Sequence, residues 1–363
     1  MTRRLTIVLV AVAMTAGCSR RTWDALPLGT KAAFRDIYFA DALHGWIAGG
    51  SHEITGGLIG RTTDGGKTWR FSSNLTSRDR MSAGPFHFLD AERGLVATGT
   101  GVILSTTDGG ASWTPVSRRG RSSGISALFF LDDRQGWAAG IGDVLHTDDG
   151  GQTWTSLTPE GVDPTGRSPI RAIWFSDARN GVAAGMHSFL ARTADGGATW
   201  EPVTIPHANG ERPDFWDMTF VDSQFGWLVG AEGTILSTTD GGTTWTRQDT
   251  GVEDAHSAPT LERIPRAGGS VLVDAGGRTP GLTISAVRFI DRTHGWITGF
   301  YANLGRSLIL RTEDGGAIWR VEAEIAGEEL YALFIQGREV AWAIGARTRE
   351  GPQAIYRLAL DGK

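Results

Sequence analysis

Six copies of one short phrase, Thr-x-Asp-Gly-Gly-x-x-Trp, punctuate this 363-residue chain. Their aspartates are Asp64, Asp108, Asp149, Asp195, Asp240 and Asp314, and their tryptophans are Trp69, Trp113, Trp154, Trp200, Trp245 and Trp319. The aspartates are spaced 44, 41, 46, 45 and then 74 residues apart. A recurring period in the forties marks a repeat protein, in which one small unit cannot bury its apolar face alone and stacks on its neighbours. Inside each copy the chemistry is that of a turn. The carboxylate accepts bonds from its own turn, the paired glycines reach positive φ, the Thr hydroxyl ties the ends and the Trp packs across adjacent strands. A row of calcium sites is not expected, because each turn offers one carboxylate where Ca²⁺ takes about six to eight oxygens.

A second motif alternates with the first: a strand of alternating polarity, a short Asp-led turn, then Gly-Trp-x-x-Gly or an equivalent. Its seven copies cover residues 34–50, 84–99, 125–140, 170–185, 215–230, 284–299 and 330–345. In the seventh, Gly337 stands at the strand-end Asp and Ala341 at the Gly. Phe34, Ile37 and Phe39 in the first copy show the period of a buried strand. A short apolar third strand precedes each Asp turn, and a fourth follows its Trp. Four short strands per unit describe a propeller blade, and 51 glycines, with no collagen period, suit the many tight turns this requires. The expected fold is therefore all-β, a seven-bladed β-propeller of four-stranded blades. The seventh unit lacks a Trp-led outer strand, whereas residues 22–28 read like one, so the N-terminal strand is expected to close the ring. The single propeller spans 22–363, and the long interval places an insertion at about 246–283, in which Val271-Leu272-Val273 suits a small strand.

The N-terminus carries Arg3 and Arg4, an apolar stretch over 5–16, then Ala16-Gly17 before Cys18, the sole cysteine. This is the layout of a secretory signal peptide, too short to span a bilayer as a helix. Ending on cysteine, it resembles a bacterial lipobox, with Thr15 where an aliphatic is usual. Residues 1–17 are read as the signal, Cys18 as the lipidation site and 18–21 as a tether. The chain is then exported and lipid-anchored to a bacterial membrane, facing the periplasm or cell exterior. A formal charge of −5 without a basic stripe argues against a nucleic-acid partner.

The repeated turn resembles the Asp-box, or BNR repeat, and all six copies keep its Asp, Gly and Trp; Ile318 replaces Thr in the last. Sialidases use such turns, yet the only similar arginine run here, Arg263-Ile264-Pro265, sits in the insertion. Xyloglucanase-type glycosidases pair two propellers, and this chain has one. The combination of one seven-bladed propeller, Phe-x-Asp-x-x-x-Gly-Trp-x-x-Gly strand pairs and Thr-Thr-Asp-Gly-Gly-x-Thr-Trp turns resembles the photosystem II assembly and stability factor family, which has bacterial relatives outside phototrophs. That resemblance implies a non-enzymatic, monomeric, lipid-anchored scaffold. It would bind a protein partner in a membrane or envelope complex through an arginine-rich face, without a cofactor.

Within this frame the Asp turns occupy one face of the disc, so binding is expected on the other. Loops there are long in blades 1, 6 and 7, which ring closure makes neighbours. The candidate interaction face is accordingly Tyr301, Arg306, Arg347 and Arg349, with Arg278 from the insertion. The eight histidines show no metal spacing, and neither a nucleophile motif nor a phosphate loop occurs. An acid pair in the central channel, such as Asp36 and Asp217 at equivalent innermost-strand positions, resembles glycosidase carboxylates. A carbohydrate-active enzyme or glycan-binding propeller is the alternative from another class.

Overall fold

A computed structural model of the protein describes residues 21–50, 57–72, 84–118, 124–157, 169–205, 213–248, 262–266, 269–273, 282–302, 305–337, 340–347 and 353–360. Among these residues the regular structure is entirely β. Strand β1 (Arg21–Pro27) leads into blade 1, formed by β2 (Ala33–Phe39), β3 (Gly45–Gly50), β4 (Gly57–Thr62) and β5 (Arg70–Ser72). Blade 2 is β6 (Phe86–Phe88), β7 (Gly94–Ala97), β8 (Val102–Thr106) and β9 (Thr114–Arg118). Blade 3 is β10 (Ile125–Phe130), β11 (Gly136–Gly140), β12 (Val144–Thr147) and β13 (Thr155–Ser156). Blade 4 is β14 (Ile170–Phe175), β15 (Gly181–Gly185), β16 (Leu190–Thr193) and β17 (Glu201–Pro202). Blade 5 is β18 (Phe215–Phe220), β19 (Gly226–Gly230), β20 (Ile235–Thr238) and β21 (Thr246–Arg247).

A separate two-stranded sheet, β22 (Glu262–Arg266) with β23 (Gly269–Val273), holds the strand expected in the insertion. Blade 6 is β24 (Leu282–Phe289), β25 (Gly295–Tyr301), β26 (Arg306–Thr312) and β27 (Arg320–Ala326). Blade 7 is β28 (Glu328–Gln336), β29 (Val340–Arg347) and β30 (Ala354–Leu360), completed by β1. The seven sheets stand in a ring, and β1 closes it. It pairs antiparallel with β30 from Arg21 opposite Leu360 to Pro27 opposite Ala354. Trp23 packs in the apolar cluster shared by blades 6 and 7, and Leu26 in that shared by blades 7 and 1.

Adjacent blades are joined by stacked rings. The second-strand Trp46 lies parallel on Phe88 of the next blade with centroids 3.5 Å apart, and Phe88 meets Trp113 edge-on at 6.1 Å. Trp137 on Phe175 and Trp227 on Phe289 repeat the stack at 3.8 and 3.5 Å. Blades 2 and 4 carry Leu95 and Val182 where the Trp would be. Their cross-strand partners take over: His87 stacks on Phe130 at 4.3 Å and Trp174 on Phe220 at 3.8 Å. Burial drives the pKa of His87 down to about 4, so it stacks as a neutral ring. The strand-end Phe also explains the glycine opposite it. A Cβ on Gly136 would lie 2.6 Å from the Phe130 ring. In blade 7, Ile335 replaces that Phe, and Ala341 opposite it is tolerated.

Each Asp turn is built alike. In the first, Thr62 Oγ1 donates to Asp64 Oδ1 at 2.8 Å and accepts from the Gly66 amide at 2.9 Å. Thr68 gives its amide to Asp64 Oδ1 at 2.9 Å and its hydroxyl to Oδ2 at 2.6 Å. Gly65 N bonds Leu43 O, tying the turn to the first hairpin turn of its own blade. Trp46 Nε1 reaches the Gly109 carbonyl of the next blade's turn at 2.8 Å, and Trp137 and Trp227 do the same to Gly196 and Gly315. Blade 7 has no Asp turn to receive Trp296. Glu322 on β27 accepts Trp296 Nε1 at 2.9 Å and Trp23 Nε1 at 3.3 Å instead. In the last Asp turn Ile318 supplies the amide to Asp314 but no hydroxyl, and its side chain is exposed.

Hydroxyl and amide donors hold the Asp64, Asp108 and Asp195 carboxyls down to about 2. A depressed folded pKa contributes stability that is complete above about pH 4 and is lost as pH falls through about 2. His87 and Asp36, whose shifts oppose one another at higher pH, no longer distinguish folded from unfolded chain in that window. Stability is expected to decline between about pH 4 and pH 2, and Asp64→Asn, Asp108→Asn and Asp195→Asn combined should flatten that slope. The turns are exposed, so the effect per site is small. Melting temperature measured against pH for parent and triple variant checks it; identical slopes would remove the assignment.

Candidate functional site

The innermost strands enclose a central channel of about 1010 Å³. What faces into it is set by a backbone irregularity. In six of the blades the pairing of the first and second strands slips by one residue near the start of the first strand. The slip is a β-bulge, and it aims one extra side chain out of the ladder. The bulged residues are Arg35, Ser126, Arg171, Trp216, Ser285 and Tyr331, and Gly84 holds the same offset in blade 2. All seven line the channel, at the end where each innermost strand begins. This end lies opposite the Asp turns.

The two arginines of this ring are each backed by an aromatic bulge residue from a neighbouring blade. The Arg35 guanidinium lies 4.2 Å from the centroid of Tyr331, and that of Arg171 lies 5.3 Å from Trp216. Tyr331 donates its hydroxyl to Glu329 at 2.9 Å. Burial lowers the pKa of Arg171, and the like charge of Arg35 lowers it further. Blades 1 and 4 thus each present a cation to the channel. Neither is ion-paired to a carboxylate within 4.0 Å among the described residues. Arg171 donates to Met186 Sδ at 3.6 Å, while its Nε and the Trp216 Nε1 are buried donors without an acceptor among the described residues.

One residue deeper lie Asp36 and Asp217 with small neighbours such as Ala127, Ala172 and Ala286. Both carboxylates are joined to backbone amides across a blade boundary. Asp36 accepts from Ile37 at 2.9 Å and from Phe86 of blade 2 at 2.7 Å. Asp217 accepts from Met218 and from Val287 of blade 6, each at 2.9 Å, and is ion-paired to Arg288. Desolvation pushes Asp36 up to about 7 against these bonds. A carboxyl that half-titrates near neutrality is a feature of general acids. Here its oxygens already hold two blades together. Among the described residues no three His, Cys, Asp or Glu side chains gather as metal ligands would.

The expected interaction face is only partly covered. Cys18, Arg278 and Arg349 lie outside the described residues. Arg347 ends β29, opposite Glu328 in register. Arg306 is not in a loop: it begins β26, is exposed, and lies 3.8 Å from Glu324. Tyr301 corrects the expectation more strongly. In blade 6 the second and third strands pair over their full length, so Tyr301 ends β25 opposite Arg306. Only 1% of it is exposed, within the core shared by blades 5 and 6. It is a packing residue. The bulge ring escaped the sequence reading, although its members share one signal. Each stands four residues before the strand-end Phe, or before Ile335 in blade 7.

Comparison with known proteins agrees with this architecture. The family model described as photosynthesis system II assembly factor YCF48 matches residues 15–124 and 211–264. A curated relative, the photosystem II assembly lipoprotein Ycf48 of Synechococcus sp. (strain CC9902), is 30% identical over 119 residues. The match covers 30% of this chain and about a third, 34%, of the relative. The solved structure of YCF48 bound to D1 peptide superposes with a TM-score of 0.64 at 19% identity, covering 93% of this chain and 97% of that one. The GH74 xyloglucanase from Xanthomonas campestris matches with a TM-score of 0.59 at 16% identity, over 90% of this chain but 53% of that enzyme. At such identities the structures speak for the fold alone. By its repeat motifs, its match to the family model and its curated relative, the chain is similar to the photosystem II assembly factor-like family.

Proposed function

We propose that this chain is a non-enzymatic, lipid-anchored scaffold that binds a protein partner and aids assembly or stability of a membrane or envelope complex. Anchoring rests on the lipobox-like Ala16-Gly17-Cys18, with the propeller facing the periplasm or cell exterior. The observation that carries the reading is the family match, which spans the N-terminal segment and blades 1, 2 and 5. The relative with this fold that was solved with D1 peptide supports a protein ligand. Affinity purification from the native membrane tests the reading: a membrane-complex subunit should co-purify, and triple reversal of Arg306, Arg347 and Arg349 to Glu should reduce its recovery at least tenfold. Cys18→Ser should move the protein from the membrane to the soluble fraction. Recovery of no subunit from the native membrane would overturn the scaffold reading.

One observation favours a second reading, carbohydrate chemistry: Asp36, with its pKa near 7, shares the channel with Asp217. Against it, each carboxylate is bonded to backbone amides of two blades. Turnover of a chromogenic glycoside panel that disappears in Asp36→Asn would establish the enzyme and displace the scaffold.

A further inference from the structure

We infer that the mouth of the central channel is an oxyanion-binding site, in which Arg35 and Arg171 take a carboxylate between them. This goes beyond the scaffold reading and does not depend on it. The geometry is that of a prepared clamp. Two cations from blades 1 and 4 face one channel from its ring of bulge residues, where the charge of Arg35 disfavours that of Arg171 and the Asp214 carboxylate favours it. Placing like charges together is unfavourable unless an anion joins them. Each guanidinium lies over an aromatic face, Tyr331 or Trp216. Such stacking leaves the N–H fork free at the edge, where a carboxylate is met by paired hydrogen bonds.

The surroundings supply donors and few acceptors. Trp216 Nε1 and Arg171 Nε are donor-only groups without acceptors among the described residues. The nearest acids are engaged: Glu329 accepts from Tyr331, and Asp214 accepts from the His187 amide at 2.6 Å. Asp36, one layer down, is bonded to two amides and half-protonated near neutrality, so it opposes an incoming anion less than a full charge would. The remaining ring positions, Gly84, Ser126 and Ser285, are small. They leave the opening clear on the sides the arginines do not occupy.

A carboxylate can arrive free, as a small organic acid, or on an acidic side chain of a protein segment, and one titration separates the two. The full chain in detergent is titrated calorimetrically with succinate and, separately, with a ten-residue glutamate-containing peptide blocked at both ends, at constant ionic strength. At least one probe is expected to bind, with Kd raised tenfold or more in Arg35→Gln and in Arg171→Gln. Arg93→Gln, on the opposite face, should leave it unchanged. Tighter binding of succinate assigns a small-molecule ligand, and tighter binding of the peptide assigns a protein-borne one. Melting curves confirm that each variant is folded. Absence of binding by both probes at millimolar concentration, or equal Kd in parent and both arginine variants, overturns the site.

Discussion

Deleting residues 21–27 is expected to lower the melting temperature by roughly 10 °C or more, the largest effect of any surface-proximal change in this protein. The segment looks dispensable by position, being short and N-terminal. In the ring it is the outer strand of blade 7, in register with β30 along its whole length. Its loss would expose the β30 edge, remove Trp23 and Leu26 from two inter-blade clusters, and take one of the two tryptophans from Glu322. Partial burial of those two side chains alone is worth about 3 kcal/mol. A folded protein has only about 5–15 kcal/mol in total, so this loss is a large share. Trp23→Ala should reproduce a substantial part of the effect, whereas Lys67→Ala, exposed on an Asp turn, should change little. A melting temperature within 2 °C of the parent after the deletion would mean that the ring is held by other contacts, about 1 kcal/mol or less being assigned to the strand.

Gly140→Ala is the second change expected to act strongly, with a destabilisation of about 3 kcal/mol or more. The glycine closes β11 at the level of the blade 3 bulge. A Cβ there would run into the Gly124 carbonyl oxygen and the Ile125 Cα, which are backbone atoms and cannot rotate aside. The same collision faces Gly49, Gly185, Gly230 and Gly345, so one turn of phrase in the sequence, the second Gly of Gly-Trp-x-x-Gly, protects the bulge in blade after blade. Urea denaturation of Gly140→Ala beside Gly337→Ala separates two causes. Gly337 has positive φ but open space around it, so its variant reports backbone strain without a clash. Equal losses in the two variants would show that strain, and not the bulge contact, governs both.

Sequence periodicity reaches far in a protein of this kind, and its reach has a physical limit. The Asp turns are legible because the Thr hydroxyl, the Asp carboxylate and the second Gly amide bond one another within nine residues, so the pattern is local. Closure by residues 22–28 was legible as a missing piece, since Trp23 supplied what blade 7 lacked. Contacts made between blades were not. His87 and Trp174 look like arbitrary members of an innermost strand until Leu95 and Val182 are seen opposite them and Phe130 and Phe220 beyond. Tyr301 was misplaced because strand length in blade 6 depends on pairing with β26, which no local residue announces. The bulge ring is the clearest case. Arg35, Gly84, Ser126, Arg171, Trp216, Ser285 and Tyr331 share no chemistry, only a place, and that place comes from a slip in pairing.

The pairing of β1 with β30 also bears on the order of events in folding. Trp23 lies opposite Leu358, so β1 must wait for β30 before it can pair. Blades 1 to 6 are built from hairpins and can form from neighbouring segments, while the seam joins residues separated by nearly the whole chain. Closing so long a loop is entropically costly and kinetically late. Until it happens, β30 offers an unpaired edge and the apolar clusters of blade 7 stay incomplete. The growing chain is thus an open arc until β30 is made and becomes a ring in one step. A circular permutant carrying β1 directly after β30 would turn that step into the formation of an ordinary hairpin.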